Sequence, residues 1–196
     1  MKRFAWLTTL PLFALALPMF GQNSGNCGQP FEAPLASGTQ VTMDLRAGDV
    51  EIIGTSKQGV RVSCDSSNDP STKQVRISFA AGHLRVSGGP DNIRRFHYRI
   101  EVPTQSAVVV RCSAGNVSMS GLQGDKDVEL KAGDLTISVG PPESYRVVEA
   151  QVLAGDLKAN AWGVKKDGLG QNFRKDNPRG QYRLKANVLA GNLILK

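Results

Sequence analysis

The chain has 196 residues, with 24 Lys and Arg against 17 Asp and Glu, a formal charge of +7, two histidines and three cysteines. Two histidines exclude a three-His metal site, and three cysteines with no Cys-x-x-Cys pair give redox catalysis no support.

Residues 1–22 read as an export signal. Lys2 and Arg3 precede an apolar run over 4–17, and Pro18 breaks it; the run is short for a membrane span and has the flanks of a cleaved signal peptide. Nothing else in the chain reads as a transmembrane span. Without Lys2 and Arg3 the balance is 22 basic to 17 acidic side chains, about +5. The charges are scattered over alternating strand positions, as solvated faces are, and export argues against nucleic acid as a partner. An exported chain is permitted a disulfide. Cys27 with Cys64 is one pairing; the alternative is that Cys64 and Cys112, on strand-like segments, are small buried hydrophobes.

Residues 23–37 are rich in Gly, Pro, Asn and Ala and read as a flexible leader or cap. From Thr39 onward the pattern is apolar-polar alternation, the mark of half-buried strands. Strands are expected over 41–45, 50–53, 60–64, 75–80, 84–87, 98–102, 107–112, 117–119, 128–131, 135–139, 146–153, 157–161, 182–189 and 193–195, with short turns between them and no helix. Two segments break the rhythm: a polar insertion over 65–72, and a long loop over 162–180. The loop sets Trp162 and Phe173 among Lys165, Lys166 and Arg174, a composition suited to gripping a sugar ring or a phosphate. The alternative is a surface excursion whose aromatics pack back on the core. The stretch 92–98 mixes charge and aromatics and reads as a strand edge.

The triplet Ala-Gly-x recurs six times, with glycines at Gly48, Gly82, Gly115, Gly133, Gly155 and Gly191. The third position is Asp49, His83, Asn116, Asp134, Asp156 or Asn192. Glycine supplies a positive φ, and Asx side chains bond their own backbone, so the triplet is corner chemistry. The glycines fall one or two units of roughly 17 to 18 residues apart, near the repeat lengths of solenoids. One such unit cannot bury its apolar side alone, whereas stacked successive units share a core. The expected fold is all-β: a single-domain β-solenoid, parallel β-helix-like, of short repeats over 38–196. A β-sandwich built from the same strands is the competing architecture.

The repeated apolar-x-apolar-x-Ala-Gly-Asx-apolar pattern resembles the bacterial putative-adhesin family, which includes the head-GIN-like group. Leu45-Arg46-Ala47-Gly48-Asp49-Val50-Glu51-Ile52, Leu130-Lys131-Ala132-Gly133-Asp134-Leu135-Thr136-Ile137 and Val152-Leu153-Ala154-Gly155-Asp156-Leu157 carry the likeness. The resemblance implies a parallel β-solenoid, a periplasmic or surface location and no catalysis.

The chemistry of the residues adds little activity. Asp49, Asp134 and Asp156, with Asn116 and Asn192, would form a ladder if their rungs are adjacent. One Asx per unit falls short of the several oxygens per turn that calcium requires, so no metal and no cofactor are expected. Glycoside hydrolysis needs two carboxylates at a defined separation; Glu51, Glu101, Glu129 and Glu149 sit at outward positions, and no pair stands out. The leading expectation is an exported, non-enzymatic interaction module, periplasmic or secreted to the cell surface, that recognises a surface glycan or an envelope protein. A polysaccharide-active β-helix hydrolase or lyase is the alternative, and a polymer-forming subunit the third.

Overall fold

Val128 and Leu130 are fully buried while Asp127 and Glu129, interleaved with them, face outward. The same period-two burial runs through nearly every strand, because alternate side chains point to opposite faces of a sheet. The computed structural model describes residues 23–65, 70–89 and 96–196. The expected leader over 1–22, positions 66–69 of the polar insertion and positions 92–95 lie outside the described residues.

The strands in chain order begin with β1 (Asn23–Asn26), β2 (Phe31–Ala33), β3 (Gln40–Leu45), β4 (Asp49–Thr55), β5 (Val60–Asp65) and β6 (Val75–Ala80). Next come β7 (His83–Gly88), β8 (His97–Pro103), β9 (Ala107–Ala114), β10 (Val117–Ser120), β11 (Lys126–Ala132) and β12 (Leu135–Ile137). The last six are β13 (Tyr145–Ala154), β14 (Leu157–Ala159), β15 (Val164–Lys166), β16 (Leu169–Asp176), β17 (Tyr182–Ala190) and β18 (Leu193–Leu195). Among the described residues they form two nine-stranded sheets, in the orders β1-β6-β7-β3-β9-β11-β17-β13-β16 and β15-β14-β18-β12-β10-β4-β8-β5-β2.

Five coils make the centre. In each, a strand of the first sheet turns through an Ala-Gly corner into a strand of the second: β3 to β4, β9 to β10, β11 to β12, β13 to β14 and β17 to β18. Neighbouring coils pair parallel in both sheets. Parallel register stacks like on like, so that Val50, Val117, Leu135, Leu193 and Leu157 form one buried column. Each such side chain contributes about 1.5–3 kcal/mol on leaving water.

The coils do not stack in chain order, contrary to the expectation of successive units. The last coil, β17 to β18, lies between the third, β11 to β12, and the fourth, β13 to β14. The six triplets are also not equivalent. Ala81 and Gly82, both at positive φ, make the hairpin turn between antiparallel β6 and β7. His83 opens β7 and pairs with Asp44 at 2.9 Å. The other five triplets form the corners. There the Gly48, Gly115, Gly133 and Gly191 amides each donate to an alanine carbonyl of the next coil, those of Ala114, Ala132, Ala190 and Ala154 respectively.

Insertion of the last coil has an electrostatic consequence. In space the corner side chains run Asp49, Asn116, Asp134, Asn192, Asp156, an alternation of acid and amide. The Asn116 and Asn192 Nδ2 groups donate to Asp49 and Asp134 Oδ1, both at 2.9 Å. The backbone amides of Asp134 and Asp156 donate in turn to Asn116 and Asn192 Oδ1. Stacking in chain order would instead set Asp134 beside Asp156, at the ~4.8 Å strand spacing. Repulsion of about 1–3 kcal/mol would follow at surface dielectrics.

The ends of the stack are closed by antiparallel strands. Residues 23–37, expected as a flexible leader or a cap, supply the edge strands β1 on β6 and β2 on β5. A Cys27–Cys64 disulfide fastens this segment, and Cys112 is a free buried thiol whose pKa burial pushes up. At the far end β15 pairs with β14 and β16 with β13. The outermost coil carries the small inward residues Ala150 and Ala159, and Phe173 lies opposite Ala150. Phe173 and Trp162 stack at 5.6 Å and pack against the core at this end.

Lys126 is one charge inside the core, 2% exposed. Its Nζ donates to the Gly124 carbonyl at 3.0 Å and to the Tyr145 hydroxyl at 2.7 Å, and that hydroxyl donates to the Val139 carbonyl. Burial brings its pKa down to about 8, against a smaller opposing pull from Asp125.

Candidate recognition surface

Strand register writes the outer face of the first sheet as rows that cross the coils. One row reads Thr42, Val109, Asp127, Lys185, Glu149, Arg174. The next reads Asp44, Arg111, Glu129, Asn187, Gln151, Asn172. Most of the charges neutralise one another. Arg111 meets Asp127 at 3.1 Å and Glu129 at 3.4 Å, Asp44 meets Arg85 at 3.3 Å, and Arg174 holds Glu149 and Asp176. The paired Arg174 guanidinium keeps the Asp176 carboxyl below its ordinary pKa.

In the second row, past Glu129, charge gives way to three neutral amides. Asn187, Gln151 and Asn172 stand side by side on β17, β13 and β16, and their side chains face outward. One step along the strands lie Leu189, 52% exposed, and Leu153, 57% exposed. The corresponding outward positions in other coils hold Arg46, Ser113 and Lys131, so the two leucines are a local departure from a polar row. Amides and leucines line a concavity of about 660 Å³ together with Glu129, Lys131 and Gln171. Gly170, at a φ of 66°, lies level with Leu153 on the neighbouring strand and adds no side chain over it.

The five residues singled out by the sequence do not converge on a loop. The segment 162–180 is mostly strand, β15 and β16, which satisfies the main-chain groups of the outermost coil. That replaces the expected loop. Trp162 and Phe173 are half-buried against the core; the packed-back alternative describes them. Lys166 Nζ donates to the Asn172 carbonyl at 2.6 Å, Arg174 is held by its two carboxylates, and Lys165 is exposed on β15. The corner residues Gly48, Asp49, Gly115, Asn116, Gly133, Asp134, Gly155, Asp156, Gly191 and Asn192 lie together along one edge of the stack. Gly82 lies apart in its hairpin.

Each carboxylate weighed for glycoside hydrolysis is tied to an arginine. Glu51 meets Arg99 at 2.8 Å and Glu101 meets Arg61 at 3.5 Å, while Glu129 and Glu149 are held as above. Among the described residues no three His, Cys, Asp or Glu side chains gather as a metal site. No helix among them is long and apolar enough to cross a membrane.

The molecule is thus an all-β protein of two large sheets whose central strands stack in parallel. No protein-family model and no curated protein matches the chain. Among solved structures it is similar to a putative cell adhesion protein of Clostridium sporogenes ATCC 15579, at 14% identity and a TM-score of 0.49. That match covers 86% of this chain and 99% of the other. A putative lipid binding protein of Parabacteroides distasonis ATCC 8503 matches at 12% identity and a TM-score of 0.25, over 58% of this chain and 56% of the other.

Proposed function

We propose that this chain is an exported, non-enzymatic interaction module, a short β-solenoid with reordered coils, that recognises a component of a cell envelope or surface through the outer face of its first sheet. The observation that carries the reading is the pair Leu153 and Leu189, both more than half exposed beside three neutral amides, on a face whose other outward positions are largely ion-paired or polar. Exposed apolar side chains grouped in a concavity and rimmed by polar ones are the usual form of a docking site. Export agrees with the signal-like segment over 1–22 and with the Cys27–Cys64 disulfide, which an oxidising compartment sustains. The corner motifs resemble those of the putative-adhesin family, which supports the same reading.

Co-sedimentation with isolated bacterial envelopes tests it. The Leu153→Asp/Leu189→Asp variant should bind at least about tenfold more weakly than wild type, a loss of about 1.4 kcal/mol or more. Trp162→Ala should bind as wild type does. Unchanged binding by the double aspartate variant, with loss in Trp162→Ala, would return the site to the β15–β16 end.

A further inference from the structure

We infer that the amide row is a subsite for a neutral glycan chain, laid across β17, β13 and β16 with its apolar sugar faces on Leu189 and Leu153. The inference rests on the recognition surface proposed above and names the chemistry of its ligand. A side-chain amide offers donors and an acceptor at once, which is what a sugar hydroxyl also offers. Asn187, Gln151 and Asn172 present three such groups in a line, and no side-chain hydrogen bond within the protein engages any of them among the described residues. The concavity carries no net charge to select an anion: its two charged lining side chains, Glu129 and Lys131, offset each other, and the nearby Arg111 and Arg174 are taken up by Asp127, Glu129, Glu149 and Asp176.

Spacing supports the same ligand. Neighbouring strands lie about 4.8 Å apart, so the amides repeat at that interval across the sheet. Successive units of an extended β-linked hexose chain advance by a similar step, and one unit falls to each strand. Sugar rings carry C–H faces as well as hydroxyl rims, and Leu189 and Leu153 provide the apolar floor one step along the strands. Gly170 keeps that floor open, since a Cβ built there meets no atom within 4 Å and so projects into the open. The concavity of about 660 Å³ lies inside the range of about 300–1,000 Å³ typical of small-ligand sites.

Calorimetric titration with cellohexaose, chitohexaose and hexagalacturonate provides the test, on wild type and on Gln151→Ala/Asn187→Ala. Both positions face solvent, and the isosteric Gln151→Glu/Asn187→Asp variant serves as a second probe that keeps side-chain shape. The expected result is binding of a neutral hexasaccharide that weakens at least tenfold in both variants. Neutral binding that persists in both would overturn the subsite. Binding of hexagalacturonate alone, or of no hexasaccharide, would overturn the ligand class. In that case retained envelope co-sedimentation leaves the broader recognition surface standing, whereas its loss to wild type would remove both.

Discussion

Replacing Gly133 with alanine is expected to remove more than about 4 kcal/mol of stability, a large share of the roughly 5–15 kcal/mol that holds a domain folded at 25 °C. Gly133 sits at the corner of the central coil with a φ of 124°, a region L side chains rarely adopt. A Cβ there would overlap the Gly115 carbonyl oxygen, and that oxygen belongs to the backbone of the adjacent coil. Neither partner can swing aside, because the Gly133 amide is itself bonded to the Ala190 carbonyl on the far side. Backbone strain of about 1–3 kcal/mol therefore adds to a steric conflict that only separation of the coils relieves. Gly82→Ala makes the contrast. Its φ is 79°, and its Cβ would come no closer than 3.0 Å to Gln40 O at the hairpin. A loss of about 1–2 kcal/mol is expected there. Urea unfolding of the two variants beside wild type reads the difference; equal losses would deny that the corners are held at backbone contact.

Asn192→Asp is expected to destabilise the protein by about 2–3 kcal/mol at pH 7 and low salt. The substitution keeps the shape of the side chain. It places three carboxylates in succession, Asp134, the new acid and Asp156, and removes the Nδ2 donor to Asp134. Like charges on adjacent rungs oppose folding only while the carboxyls are ionised, so the loss is full at neutral pH and disappears once acid has protonated them. Thermal melts at pH 7 and pH 3, with and without 1 M salt, check the sign. The gap between variant and wild type should narrow at low pH and, for these exposed charges, in salt. A pH-independent gap would mean that the amide acts through shape and hydrogen bonding alone.

These two positions also mark how much could be read in advance. The corner at Gly133 is legible because Ala-Gly-Asx followed by apolar alternation is a local signal, and local signals specify local backbone. The neighbour of Asn192 is not, because coil order is set by contacts between segments far apart in the chain. A clue was nevertheless present: reading Asp134 and Asp156 as adjacent rungs creates a carboxylate conflict that an intervening Asn relieves. The 162–180 segment read as a loop because β16 is an edge strand at the rim of the core. With one side toward solvent and Phe173 its main apolar anchor, it shows little alternation. Lys126 contradicts the binary pattern at an inward position, so its burial against Tyr145 has no sequence signature. Leu153 and Leu189 do carry one. Each follows an inward valine in Val-Leu-Ala-Gly, at a position where other coils place Arg, Ser or Lys, and a search for core residues passes over apolar residues on the outward register.

Hydroxyl-radical footprinting of the wild-type protein, free and bound to isolated envelopes, tests the recognition face most directly, because it reads side-chain exposure without any substitution. Leu153 and Leu189 should be labelled in the free protein and protected at least about threefold when bound, while Leu169, 80% exposed at the start of β16, and Trp162 keep their labelling. Protection of Leu169 and Trp162 with Leu153 and Leu189 unchanged would contradict the account.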